Sequence, residues 1–110
     1  MSTSIIRSLR SSDPAIRSDA LSRAARMTHV DPAERAAIEG AVAAALRDDV
    51  ADVRVAAIRA VVRLRVPQAL QALIRVAGED PAPEVRREAV AALARLISPV
   101  PPGLTGRLRS

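Results

Sequence analysis

Three stretches of the chain carry one pattern of apolar and polar positions. Ile16–Met27 (IRSDALSRAARM), Val53–Leu64 (VRVAAIRAVVRL) and Val85–Leu96 (VRREAVAALARL) align without gaps on a shared arginine, Arg17, Arg54 and Arg86, offset by 37 and then 32 residues. Counted from that arginine, apolar residues recur at −1, +3, +4, +7 and +10, for example Ala20, Ala57 and Ala89 at +3 and Leu21, Ile58 and Val90 at +4. This spacing gathers them on one stripe of a helix and does not fit the two-residue alternation of a strand. The stripes are expected to form the core, with +1, +2, +5 and +9 facing outward.

Start signals precede these helices. Asp13-Pro14 and Asp80-Pro81 set an N-cap residue before a proline at the first helical position, and Asp48, Asp49 and Asp52 offer caps for the second. Pro83 is an alternative start for the third. Partner helices lie between. Asp31-Pro32 opens a run with Ala36, Ala37, Ile38, Val42 and Leu46 apolar, and Pro67 opens a shorter one that Gly78 is expected to close as a C-cap. Gly40, inside the first of these runs, is expected to permit a close approach or a kink. A short first helix with Ile5, Ile6 and Leu9 completes the plan of six helices at about 3–10, 14–27, 32–47, 51–65, 67–77 and 83–97. Paired, they make three repeats (about 3–27, 32–65 and 67–97) in one domain, 1–97. Residues 98–110 change character: Pro99, Pro101, Pro102, Gly103 and Gly106 stop the helix, and a flexible tail is expected there. A docking peptide or a vestige of a fourth repeat is the sharper alternative.

Composition narrows what such an array is built from. Apolar residues make up 49% of the chain and none is aromatic, so the core must be small and branched side chains at close range. Alanine-rich helices suit that, since alanine favours the helix and lets backbones approach. All 17 basic residues are arginine. Schiff-base and phosphate-loop lysines are thereby excluded. The absence of cysteine excludes disulfides, thiolate nucleophiles and the usual Cys/His zinc sites. The apolar stretch Gly40–Leu46 is far too short to span a bilayer, and the N-terminal segment lacks the apolar run of a secretory signal, so a cytoplasmic protein without membrane contact is expected.

The period, the Asp-Pro starts and the Val-Arg-x-x-Ala-x-x-Ala-Leu-like helix, seen best in DPAPEVRREAVAALARL, resemble HEAT repeats, and in particular the short HEAT-like subclass named after phycobilisome lyases. The likeness covers about residues 4–97 and is weakest in the first repeat. It implies an all-α fold, an α-solenoid of about three antiparallel helix pairs, with the second helix of each pair on the inner, concave face. It also implies a ladder between neighbouring repeats, made by an aspartate before the second helix and the arginine near its start. Asp48 with Arg54 and Asp80 with Arg86 keep the six-residue spacing, whereas Ser11 holds the matching place before Arg17. The ladder is therefore expected to be incomplete at the N-terminal end. Independently of any family, one alanine-rich pair cannot bury its own stripe, so about three stacked pairs are a minimum.

The outward positions carry the candidate partner-binding residues. Position +9 is arginine every time, Arg26, Arg63 and Arg95, and stacking lines these up as a stripe with Arg59 and Arg87 beside it. Guanidinium forks suit carboxylates and phosphates. The plain alternative is a solvated face whose arginines favour the helix dipole. Val55 and Ala56 are apolar at outward positions, read either as the centre of a protein-binding patch or as ordinary small surface residues. His29 stands alone: with one nearby Asp31 it lacks the three convergent ligands a metal needs, and no nucleophile-elbow motif surrounds any serine. Glu34 and Glu39 read as solvated helix residues rather than an acid/base pair.

No enzyme active site, metal site or cofactor is expected. The leading expectation is a non-catalytic protein–protein interaction adaptor that binds a partner with an acidic surface. The net charge of +5 agrees with that, weakly, since the carboxylates are interspersed. Nucleic-acid binding through the arginine stripe is the alternative, opposed by the absence of aromatics on which bases would stack. A lyase-type chaperone follows from family analogy alone. Two exposed ends of a short array also give the expectation of a homodimer through a terminal repeat.

Overall fold

The computed structural model describes residues 2–28 and 30–97. Among these residues six α-helices follow one another: α1 (Ser2–Leu9), α2 (Pro14–Ala25), α3 (Pro32–Ala45), α4 (Ala51–Leu64), α5 (Leu70–Glu79) and α6 (Pro83–Ile97), with a 3₁₀ turn at Pro67–Ala69 ahead of α5. They form a solenoid of three helix pairs, α1–α2, α3–α4 and α5–α6. The second helices make a continuous layer, α2 on α4 and α4 on α6, while α1 packs on α2 and α3, and α3 on α4. His29 and residues 98–110 lie outside the described residues, and with them the expectations placed on that histidine and on the tail.

The starts of the helices follow from local chemistry. Asp13 caps α2 by accepting the Ala15 N–H (2.9 Å), and Asp31 caps α3 by accepting from Ala33 (3.1 Å) and Glu34 (3.3 Å), each with proline in the first turn. The later second helices begin differently. Val50, not an aspartate, is the N-cap of α4 and makes no side-chain cap; α6 begins at Pro83 rather than Pro81. Asp48 and Asp80 instead brace the turns before these helices.

Two helix ends depart from expectation. Gly78 is not a C-cap: α5 runs on to Glu79, Asp80 ends it in extended conformation, and no described glycine has positive φ. The left-handed cap falls to Arg65 after α4 (φ 52°, ψ 64°), two residues before Pro67. A non-glycine residue there costs about 1–2 kcal/mol. Gly40 also differs from expectation, because a methyl group built on it would meet nothing within 4 Å. It marks no close approach.

The core is a seam between the two helix layers. Leu21, Ile58, Leu46 and Leu73 are its largest fully buried side chains, with Val42, Val53, Val61 and Val85. Each branched side chain removed from water contributes about 1.5–3 kcal/mol. Small residues set the spacing: Ala57 and Ala60 on α4 and Ala89 on α6 are fully buried. The expected core positions fail at the two ends, where Ile16 is 44% and Val90 56% exposed. Their counterparts Val53 and Ile58 are covered because α4 has a neighbour on each side.

Candidate functional site

A repeated polar joint fixes how one helix pair sits on the next. Arg17 Nε donates to Asp48 Oδ2 (2.7 Å) and Nη2 to Asp48 Oδ1 (3.0 Å). Arg54 does the same to Asp80, at 2.7 and 2.9 Å. The third amino group turns back within the repeat: Nη1 of Arg17, Arg54 and Arg86 donates to the carbonyl oxygens of Ser11, Asp48 and Asp80, at 2.8, 2.8 and 2.6 Å. The planar guanidinium thus ties its own turn to the turn of the following repeat, a geometry a lysine ammonium cannot reproduce.

The residue six places before each arginine has its own local role. Asp48 Oδ1 accepts the Val50 N–H (2.9 Å), Asp80 Oδ1 accepts the Ala82 N–H (2.9 Å), and Ser11 Oγ accepts the Asp13 N–H (3.1 Å). Serine therefore closes the turn but brings no carboxylate. The backbone-carbonyl contact, independent of side-chain type, is what sequence spacing did not reveal. Burial acts to raise the Asp48 and Asp80 carboxyls. The hydrogen bonds from Arg17 or Arg54 and from the Val50 or Ala82 N–H, with the adjacent guanidinium charges, outweigh it and hold both below the ordinary carboxylate range. Hydrogen bonding to Asp48 likewise raises Arg17 above its ordinary value.

A family model described as HEAT repeats matches residues 38–110. The chain belongs to the HEAT-repeat family. The match starts within α3 and leaves out the first helix pair, where the ladder residue is Ser11. No curated protein matches the chain. HEAT repeats generally mediate protein–protein contacts, and in this chain the outward face of the second-helix layer is grooved.

Two adjoining grooves run along that face. One, of about 640 Å³, lies between α2 and α4 and is lined by Ser22, Arg26, Asp52, Val55, Arg59 and Arg63 among others. The second, of about 480 Å³, lies between α4 and α6 and is lined by Arg59, Arg63, Glu88, Ala91 and Arg95 among others. Arg63 borders both. Arg26, Arg63 and Arg95 are exposed, and among the described residues none has a carboxylate within ion-pair distance. Each groove sets three arginines against one carboxylate, Asp52 or Glu88.

The other expected partner-binding residues divide. Arg59 is engaged, through Nε to Glu88 Oε2 at 3.3 Å, in a largely exposed pair between α4 and α6. The register explains the pair, since +5 of one repeat faces +2 of the next, but that rule is visible only once the helices are stacked. Val55 and Ala56 are half-buried in the first groove rather than proud of the surface. Arg87 belongs elsewhere: it lines a groove on the outer side of α5 and α6 with Arg86 and Val90. Glu39 pairs with Arg35 (2.9 Å), which also donates to the Leu64 carbonyl (2.7 Å), so it serves the α3–α4 joint. Among the described residues no group of three potential metal ligands occurs, and no helix is long and apolar enough to cross a membrane.

Proposed function

We propose that this HEAT-repeat chain is a non-catalytic adaptor that holds an acidic segment of another protein along the α2–α4–α6 face. The observation that carries this reading is the row Arg26, Arg63 and Arg95: the same register position in each repeat, exposed, and without a described carboxylate partner, beside two continuous grooves. Guanidinium groups at the rim supply charge-assisted, bidentate hydrogen bonds to carboxylates. The half-buried Val55 and Ala56 and the exposed Ala91 supply apolar contact for the partner's side chains. Ser18 and Ser22 leave the α2 end of the face more polar than the α6 end, where Ala91 and Ala92 line the groove, while the charge of the two grooves is the same.

The test is a fluorescence anisotropy titration with two labelled probes, an aspartate/glutamate-rich peptide and a duplex DNA, at low and moderate salt. The expected result is saturable peptide binding that the Arg26→Glu/Arg63→Glu/Arg95→Glu chain weakens at least tenfold. Arg63→Glu alone should account for the largest single loss, because that side chain borders both grooves. Equal binding by wild-type and triple variant dismisses the reading. Tighter binding of the duplex than of the peptide at moderate salt replaces it with phosphate recognition, whose affinity should then fall steeply with salt.

A further inference from the structure

The two internal joints of the stack share one construction, and on α6 no described residue completes it. At each internal joint the +4 residue is fully buried, Leu21 in the first and Ile58 in the second. Each also buries a methyl at +6 of the incoming helix, Ala60 or Ala92, and each is closed by an arginine fork on an aspartate. On α6 the +4 residue is Val90, 56% exposed, with Ile97 66% exposed further along. On α5, Leu70 and Ile74 are exposed one turn apart and lie in line with Ala77. Ala77, Arg86, Arg87 and Val90 then line one groove of about 480 Å³. Arg86 keeps its Nη1 contact to the Asp80 carbonyl (2.6 Å). Its Nε and Nη2, the pair that grips a carboxylate in Arg17 and Arg54, meet none among the described residues. Residues 98–110 contain no aspartate or glutamate, so that segment has no side-chain carboxylate to offer.

From this we infer that the α5–α6 end face docks a helix pair of a different protein, which stacks as the next repeat, sets a carboxylate on Arg86 and covers Val90. The occupant must bring three things: a carboxylate in the turn before its second helix, a small residue facing α6, and an apolar stripe. A second copy of this chain lacks the first two at its N-terminal end, where Ser11 replaces the aspartate and Arg23 stands where α4 and α6 have Ala60 and Ala92. Packing two copies α6 against α6 would oppose Arg86 and Arg87 to their own images, a like-charge contact that specific interfaces avoid. The inference is independent of the arginine row on the α2–α4–α6 face.

The probe is a labelled synthetic peptide of residues 67–97, which carries Asp80 and Ala92 in the required places. Titrated with the full chain, it should bind saturably. Arg86→Gln in the chain or Asp80→Asn in the peptide should weaken binding at least tenfold, and Val90→Asp in the chain should abolish it. The Arg26→Glu/Arg63→Glu/Arg95→Glu chain should bind this peptide as wild-type does. A companion chain with residues 67–97 repeated after Ser98, keeping the 32-residue offset, should melt higher than the original, and Arg86→Gln should remove the gain. No gain in that chain overturns the inference, and so does a gain without binding in trans. Peptide binding indifferent to Arg86→Gln overturns it as well. Binding that strengthens tenfold when residues 98–110 are removed assigns the face to the chain's own segment. A dimer in light scattering that Val90→Asp dissolves assigns it to a second copy. Either assignment also overturns the inference.

Discussion

Single side chains here act through what they leave unfilled as much as through what they touch. Arg54 uses all three faces of its guanidinium, two on Asp80 and one on the Asp48 carbonyl, with only 11% of the side chain exposed. Gly40 is the reverse case. It lies inside α3 with nothing near the place a methyl would occupy, so it carries the backbone-entropy penalty of glycine with no packing in return. Gly40→Ala is expected to stabilise the protein by about 0.5–1 kcal/mol, as read from the midpoint of urea unfolding at unchanged slope. A loss of stability would mean that another surface closes over that position.

At the scale of elements, the rung between Asp80 and Arg54 fixes the angle at which α6 meets α4. The Asp80 side chain is only 4% exposed, so removing its charge leaves a guanidinium fork short of its acceptor in a half-dry setting. Asp80→Asn is expected to cost about 2–3 kcal/mol, between the values for exposed and fully buried pairs. Denaturant unfolding checks this, and Glu88→Gln, which loses only the exposed pair with Arg59, should cost under about 1 kcal/mol.

The second helices were legible in the sequence because three copies of one pattern reinforce each other, and α2, α4 and α6 lie within two residues of the ranges read from it. Of the first helices, α1 and α3 also lie within two residues of their ranges, and α5 is the one that departs. Pro67 announced a helix, yet the chain first makes a 3₁₀ turn, and Gly78 looked like a terminator although helical bonding carries past it. The arginine row was legible as a register position, while the pairing of Arg59 with Glu88 and the displacement of Arg87 to the end face were not. Both depend on which neighbour a helix has, and a single helix pattern carries no such information.

For the whole molecule, the same rungs set the response to acid. Asp48 and Asp80 are held below the ordinary carboxylate range when folded, so in the unfolded chain they take up protons at higher pH than in the native state. Their contribution is therefore complete above the unfolded value, near 3.9, and is lost as the pH falls from there through the depressed native values. Stability is expected to be level through neutral pH in this respect and to decline below about pH 4. Circular dichroism melts from pH 7 to pH 2 check this, and Asp80→Asn should flatten part of the decline. A stability that rises on acidification would contradict the geometry of both rungs.

A core built only from aliphatic side chains leaves the protein without an aromatic signal in the near ultraviolet. With no Phe, Tyr or Trp in the chain, it neither absorbs appreciably near 280 nm nor fluoresces there. Any tryptophan emission from a complex would then come wholly from the bound molecule. A partner with one tryptophan would report its own desolvation as it seats on the arginine row or on the α5–α6 end, without label or background.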